Sequence, residues 1–140
     1  MKKKTKIIIG IIVAFCIIIG AGFIYISYEQ SKISPLTLSE NQINTDSTIL
    51  NEFMTAVNNN DKSSYSNLST TEMNSPGTFE KVVSACMNNF GEFKSATYEK
   101  AIKSGSYEIL LFNGRFANKD NVEITLSLDS TGKVAGIYFK

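Results

Sequence analysis

The chain has 140 residues, enough for one domain, and 43% of them are hydrophobic, as expected for a folded protein. It contains no histidine and no tryptophan, which excludes histidine-based acid–base catalysis and histidine metal ligation. Lys2, Lys3, Lys4 and Lys6 precede the first apolar run, so the rest has 10 basic and 13 acidic residues, a net charge of about −3. Because this part has no basic stripe, we expect no nucleic-acid partner.

Residues 7–26, IIIGIIVAFCIIIGAGFIYI, form a run of twenty residues without a charge. As a helix this run is long enough to cross about 30 Å of hydrocarbon, so it predicts one transmembrane helix. The lysines before it predict a cytoplasmic tail at residues 1–6, and the remainder is then extracytoplasmic. Cleavage after Gly20-Ala21-Gly22 is the alternative, because small residues there are typical of a signal-peptide site.

Residues 27–45 are polar, contain Pro35 and have little periodicity, so they predict a stalk that leads to a domain at residues 46–140. Asp46 or Ser47 is the predicted cap of the first helix, and Asp61 is the predicted cap of a second, short helix. The inward positions of these two helices are Ile49, Leu50, Phe53, Val57, Tyr65 and Leu68.

The third predicted helix has Ser75 as its cap, Pro76 at its first position and Gly91 at its end. Its apolar face consists of Phe79, Val82, Val83, Cys86 and Phe90. Because Cys86 lies within that face, we interpret it as a buried, inert thiol rather than as a nucleophile.

After Gly91 the apolar period changes from helical to alternating, which predicts strands at residues 93–103, 106–117, 122–129 and 133–139. Short turns between them indicate an antiparallel meander, with Gly132 in the last turn at a positive φ. Gly132-Lys133 lacks the spacing of a phosphate-binding loop and precedes a strand. Helices followed by strands predict an α+β fold in which N-terminal helices pack on a curved four-stranded antiparallel sheet.

The second predicted strand has apolar residues on both faces, because four of them are consecutive: Ile109, Leu110, Leu111 and Phe112. A second apolar face needs a cover. A sheet that closes on itself, a homodimer or another envelope protein would each provide one, so these residues are candidate interface residues.

The last part of the chain resembles domain of unknown function family 3887, with a likeness over residues 48–139. The resemblance rests on these residues of the first strand and the last hairpin: Gly91, Phe93, Asp129, Gly132, Lys133, Val134, Gly136 and Phe139. It implies a nuclear-transport-factor-2-like or cystatin-like cone, in which helices are wrapped by a curved sheet. It implies no catalytic residues and no cofactor.

Such cones have a pocket at the open end of the sheet, and Arg115 is the only arginine in the chain. Arg115, Asn113 and Tyr107 share one face of the second strand, so they are candidate ligands for an anion or a carboxylate. The alternative is a rim Arg115 that either extends into solvent or pairs with Glu123 across the hairpin.

These features favour a non-enzymatic, membrane-anchored extracytoplasmic binding domain of a bacterial cell envelope, without a cofactor or metal. A scaffold component of a conjugation or secretion apparatus is the alternative, because such assembly factors combine a short tail, one span and a cone-like domain. A small-ligand enzyme is a third hypothesis, and it would need Arg115 in one pocket with tyrosines or carboxylates.

Overall fold

The computed structural model describes residues 33–140, which form three helices and a five-stranded antiparallel sheet in the order β1-β2-β3-β4-β5. The elements are β1 Ile33–Leu36, α1 Glu40–Asn58, α2 Lys62–Leu68, α3 Thr78–Asn89, β2 Phe93–Ser104, β3 Tyr107–Phe116, β4 Val122–Leu128 and β5 Val134–Phe139. The predicted α+β class is confirmed, with one strand more than expected. No helix within residues 33–140 has the length and apolarity to span a bilayer. The predicted span at residues 7–26 lies outside the described residues.

The additional strand, β1, lies within the predicted stalk. It runs antiparallel to β2, from Ile33 opposite Ser104 to Leu36 opposite Ala101. Four residues are too few to show a clear alternation, and Pro35 argues against a central strand. An edge strand tolerates proline, because one side of it makes no ladder hydrogen bonds.

Helix α1 begins at Glu40, more than a turn before the predicted caps Asp46 and Ser47, which is a correction to the sequence prediction. The Ser39 side chain accepts a hydrogen bond from the Gln42 backbone N–H at 3.2 Å, and Glu40 lies in the first turn, where the helix dipole favours a negative charge. Asp46 lies one turn before Leu50 on the buried side of α1. A carboxyl group there interrupts the apolar stripe, and the pattern therefore placed the helix start too late.

Replacing Ser39 with alanine is expected to lower the free energy of unfolding by about 1 kcal/mol, because the cap accepts one of the unpaired N–H groups of α1. Ser39→Asp should retain the stability. Ser47→Ala is the matched control, since Ser47 lies inside the helix, where alanine is favourable. Denaturant unfolding of the three variants checks this, and a greater loss from Ser47→Ala than from Ser39→Ala would contradict it.

Helix α2 begins as predicted, with the Asp61 side chain accepting the Ser64 N–H at 3.1 Å. Helix α3 differs: Gly77 is its N-cap, at φ 82°, while Ser75 and Pro76 lie in the turn before it. Glycine adopts this left-handed conformation without the steric cost of a Cβ atom, so the turn extends two residues further than the Ser-Pro pattern indicated. Gly91 follows the helix as predicted, at φ 80°.

The core lies between the three helices and one face of the sheet. Tyr65 of α2 lies at its centre, with ring centroids 5.0 Å from Phe53 and 4.8 Å from Phe79, and its hydroxyl donates to the Met73 carbonyl at 3.0 Å. From β3 the core receives Leu110 and Phe112, both fully buried. The central strand thus fixes which face of the sheet the helices cover.

The turn from β4 to β5 has Gly132 at φ 80°, as predicted. The Asp129 side chain organises this turn by accepting the backbone N–H groups of Thr131 at 2.9 Å and Lys133 at 3.0 Å. Burial acts to raise the pKa of Asp129, but the hydrogen bond from the Thr131 hydroxyl, together with these two backbone hydrogen bonds and the charge of Lys133, outweighs it, so the pKa is lowered. The Lys133 ammonium donates to the Asn67 carbonyl and so ties the hairpin to the end of α2.

Candidate functional site

A polar cavity of about 330 Å³ lies where α1 meets the end of the sheet at the β2–β3 and β4–β5 turns. We call it the Asp46 cavity. Its lining residues are Gln42, Asp46, Lys103, Ser106, Glu108, Leu128, Asp129, Ser130 and Gly132. Three carboxyl groups and one ammonium group therefore surround one space, which gives it a negative potential when all are ionised.

Asp46 is the most unusual side chain of this cavity, because it is a carboxyl group with only 1% of its surface exposed. Its Oδ1 accepts a hydrogen bond from the Gln42 side-chain amide at 2.9 Å, whereas its buried Oδ2 has no partner among the described residues. Burial raises the pKa of Asp46, the Gln42 hydrogen bond opposes this, and the negative charge of Glu108 raises it further. Such a carboxyl group either binds a proton readily or accepts a cationic partner.

The remaining charged groups of the cavity are more accessible to solvent. Glu108 of β3 is half-buried and lies opposite Lys103 of β2, whose side chain is exposed. Among residues 33–140 no group of three or more acidic or cysteine side chains is arranged to hold a metal ion. The lining itself, with three carboxyl groups spread around one space, has the chemistry to bind a positively charged organic group.

The three predicted ligand residues do not come together. Tyr107 is the first residue of β3 and Arg115 lies eight residues later, about 26 Å along an extended strand. Arg115 is an exposed side chain at the rim, as the alternative had it, but its Nε pairs with Asp120 Oδ1 at 3.3 Å rather than with Glu123. The Asn113 side-chain amide donates to Asn121 Oδ1 at 3.4 Å. The end of β3 near Arg115 is thus a polar rim at the β3–β4 turn.

Arg115→Ala is expected to change the free energy of unfolding by less than about 0.5 kcal/mol, because an exposed ion pair is screened by solvent. The same measurement on Asp120→Ala should give an equally small change. Thermal unfolding at low and high salt checks both. A loss of several degrees in Tm for either variant would show that this ion pair contributes substantially to the stability of the fold.

The four predicted interface residues divide between the two faces of the sheet. Leu110 and Phe112 pack in the helix-side core, and Ile109 and Leu111 lie on the opposite face, where they too are buried. None of the four presents exposed apolar surface in the structure. The structure describes one chain, so the homodimer stays a prediction.

Cys86 lies in the core and is fully buried, and burial raises the pKa of its thiol to about 12. A thiol with this pKa is protonated at neutral pH, which agrees with the inert role expected for it. Two further hollows lie on the helical side of the domain. One, of about 490 Å³, lies between α1 and α2 and is lined mainly by hydroxyl, amide and carboxyl groups; the other, of about 270 Å³, lies between α3 and β5 around Phe90 and Phe139.

No family model, curated protein or solved structure matches the chain. The site is therefore interpreted from its own geometry. In that geometry the Asp46 cavity differs from the two other hollows, because it contains a fully buried carboxyl group with an unpartnered oxygen.

Proposed function

We propose that the chain is a membrane-anchored binding domain of a bacterial cell envelope, held by residues 7–26, with residues 33–140 outside the membrane. The observation that carries this proposal is the position of β1. Ile33, the first described residue, already belongs to the sheet, and only residues 27–32 lie between it and the predicted span. Six extended residues reach at most about 22 Å, so the anchored domain operates at the bilayer surface rather than at the end of a long stalk.

The surface that we assign to binding is the Asp46 cavity. Asp46, Glu108 and Asp129 outnumber the single Lys103 around it, which favours a ligand with an amine or guanidinium group, such as a basic segment of another envelope protein. The layer of three helices on an antiparallel sheet supports the further proposal that the domain is a cone of the nuclear-transport-factor-2-like or cystatin-like kind. Binding without catalysis is the simplest activity for this set of side chains.

The orientation is tested by thiol labelling in intact cells. Ser63 is exposed on α2, so the Ser63→Cys variant should react with a membrane-impermeant maleimide before lysis. Thr5→Cys, in the predicted cytoplasmic tail, is the matched control and should react only after lysis. The chain should also stay in the membrane pellet after an alkaline carbonate wash. Labelling of the Ser63→Cys variant only after lysis would overturn the proposed orientation.

The binding surface is tested with a short lysine-rich peptide as the probe, titrated into the purified full chain by calorimetry. Glu108→Gln should weaken the affinity by about five- to tenfold, because it removes one accessible carboxylate from the cavity. Arg115→Ala removes a charge from the other end of β3 and should leave the affinity unchanged. Equal affinity of the wild type and Glu108→Gln would remove the cavity as the binding surface.

A further inference from the structure

The hollow between α1 and α2, which we call the helix groove, is larger than the Asp46 cavity. Its volume of about 490 Å³ lies within the range of small-ligand sites. Along α1 its lining extends from Thr48 to Asn59, about 17 Å of helix, and α2 provides the opposite wall. The described lining shares no residue with that of the Asp46 cavity, so the two are separate sites.

The groove exists because the chain reverses sharply at the end of α1. Asn60 takes a positive φ of 54°, and the Asp61 N–H donates to the Ala56 carbonyl at 2.8 Å, which brings α2 back beside α1. Ala56 is buried and Leu68 is half-buried, so these two residues form an apolar floor. With only a methyl group at position 56, the two helices leave a hollow between them.

The walls of the groove consist of polar side chains that are exposed. Three of them are asparagines, Asn51, Asn59 and Asn67, whose side-chain amides make no hydrogen bond within residues 33–140. An amide side chain both donates and accepts hydrogen bonds, as a hydroxyl group of a ligand does. The hydroxyls of Thr48 and Thr55 donate to carbonyls of their own helix at 2.9 and 2.7 Å, so towards a ligand they act as acceptors.

The charges of the groove disfavour an anionic ligand, because its described lining contains two carboxyl groups and no lysine or arginine. One of these, Asp61, accepts the Ser64 hydroxyl at 2.6 Å and the Ser64 N–H at 3.1 Å. The hydroxyl bond above all lowers the pKa of Asp61, which therefore stays ionised at neutral pH. Glu52 is then the one carboxylate of the described lining that makes no hydrogen bond within residues 33–140. Most of the groups that face a ligand are thus neutral.

We propose that the helix groove binds a neutral carbohydrate chain. Sugar rings carry many hydroxyl groups, which match the asparagine amides, the threonine oxygens and Glu52. Their C–H faces can pack on the apolar floor of Ala56 and Leu68. A length of about 17 Å suits several rings in a row rather than a single ring. The proposal uses neither the membrane anchor nor the Asp46 cavity, so it fails or succeeds independently of the proposed function.

The test titrates the purified full chain with neutral tetramers of glucose and of N-acetylglucosamine, in a detergent without a sugar head group. Asn51→Ala should weaken the affinity about fivefold, because it removes an amide from the α1 wall while alanine favours the helix. Asn67→Ala removes an amide from the opposite wall and should cause a similar loss. Asn41→Ala is the matched control, since Asn41 is exposed on α1 outside the groove, and it should leave the affinity unchanged.

Binding of either neutral tetramer with this pattern of losses supports the proposal, and the preference between them tells whether the ligand carries acetamido groups. Failure of the wild type to bind either one at millimolar concentration would overturn it. Equal affinities of the wild type, Asn51→Ala and Asn67→Ala would place the sugar outside the groove. Tighter binding of a glucosamine tetramer, lost in Glu52→Gln, would assign the groove to a cationic ligand instead. Tighter binding of a galacturonate tetramer would refute the argument from charge.

Discussion

Replacing Phe112 with alanine is expected to lower the free energy of unfolding by about 3–5 kcal/mol, because the change removes a fully buried ring from the centre of the domain. Phe112 is on the central strand β3, opposite Tyr98 and Ile124 on the neighbouring strands, and its ring makes an edge contact with Tyr98 at 5.9 Å. Loss of the ring leaves a cavity in the close-packed core between the helices and the sheet, which relaxes only partially to fill it. Denaturant unfolding of the purified full chain in a mild detergent measures the change.

Phe139→Ala is the matched control for this prediction. It makes the same substitution at a half-buried position on the last strand, so it should cost clearly less than Phe112→Ala. A loss below about 1 kcal/mol for Phe112→Ala would indicate that β3 is paired one residue out of register. A one-residue slip would move Leu111 into the core and Phe112 to the face of the sheet opposite the helices, so this measurement also tests the assignment of the two faces.

The strands after residue 92 were predictable because apolar and polar residues alternate along them in the sequence. From residue 93 onward each predicted strand overlaps an observed one, and the turn at Gly132 follows from glycine in a short connection. Strand β1 was not predictable, since four residues with Pro35 among them resemble a linker until their partner on β2 is known. Its pairing is a long-range contact, which local patterns do not encode.

The Asp46 cavity was only partly predictable. Asp46 appeared as a helix cap, because aspartate is common at that position. Asp46 lies four residues before Leu50, and this spacing places it on the buried apolar stripe of the helix. Burial of a carboxyl group is costly without a hydrogen-bonding or charged partner, so this spacing was the informative feature. The other carboxyl groups of the cavity come from β3 and from the β4–β5 turn, and their convergence on α1 depends on how the helix lies on the sheet. Arg115 was predicted to bind a ligand because it is the only arginine in the chain, but Asp120 of the adjacent turn is its partner.

Asp46→Asn is expected to raise the free energy of unfolding at neutral pH by about 1 kcal/mol or more, because folding no longer buries a carboxylate oxygen without a partner. The asparagine side-chain oxygen can still accept the hydrogen bond of Gln42. Asp120→Asn is the matched control: it makes the same change on an exposed carboxylate of the β3–β4 turn and should leave the stability unchanged. Denaturant unfolding at pH 7 distinguishes the two variants.

The pH dependence of the stability difference between the wild type and Asp46→Asn tests the same prediction more directly. The pKa of Asp46 is raised in the folded protein above its ordinary value of 3.8, so the folded state binds a proton at a higher pH than the unfolded chain does. As the pH falls from 7 through the folded pKa towards 3.8, the wild type should gain stability relative to Asp46→Asn, and the difference should be smallest below 3.8. A difference that stays constant or widens on acidification would contradict burial as the source of the penalty. If the difference in stability disappears at low pH, the ionised Asp46 destabilises the folded domain. Its unpartnered oxygen lies buried in the lining of the Asp46 cavity. A carboxyl group that costs stability at such a place is typical of a residue used for binding rather than for folding.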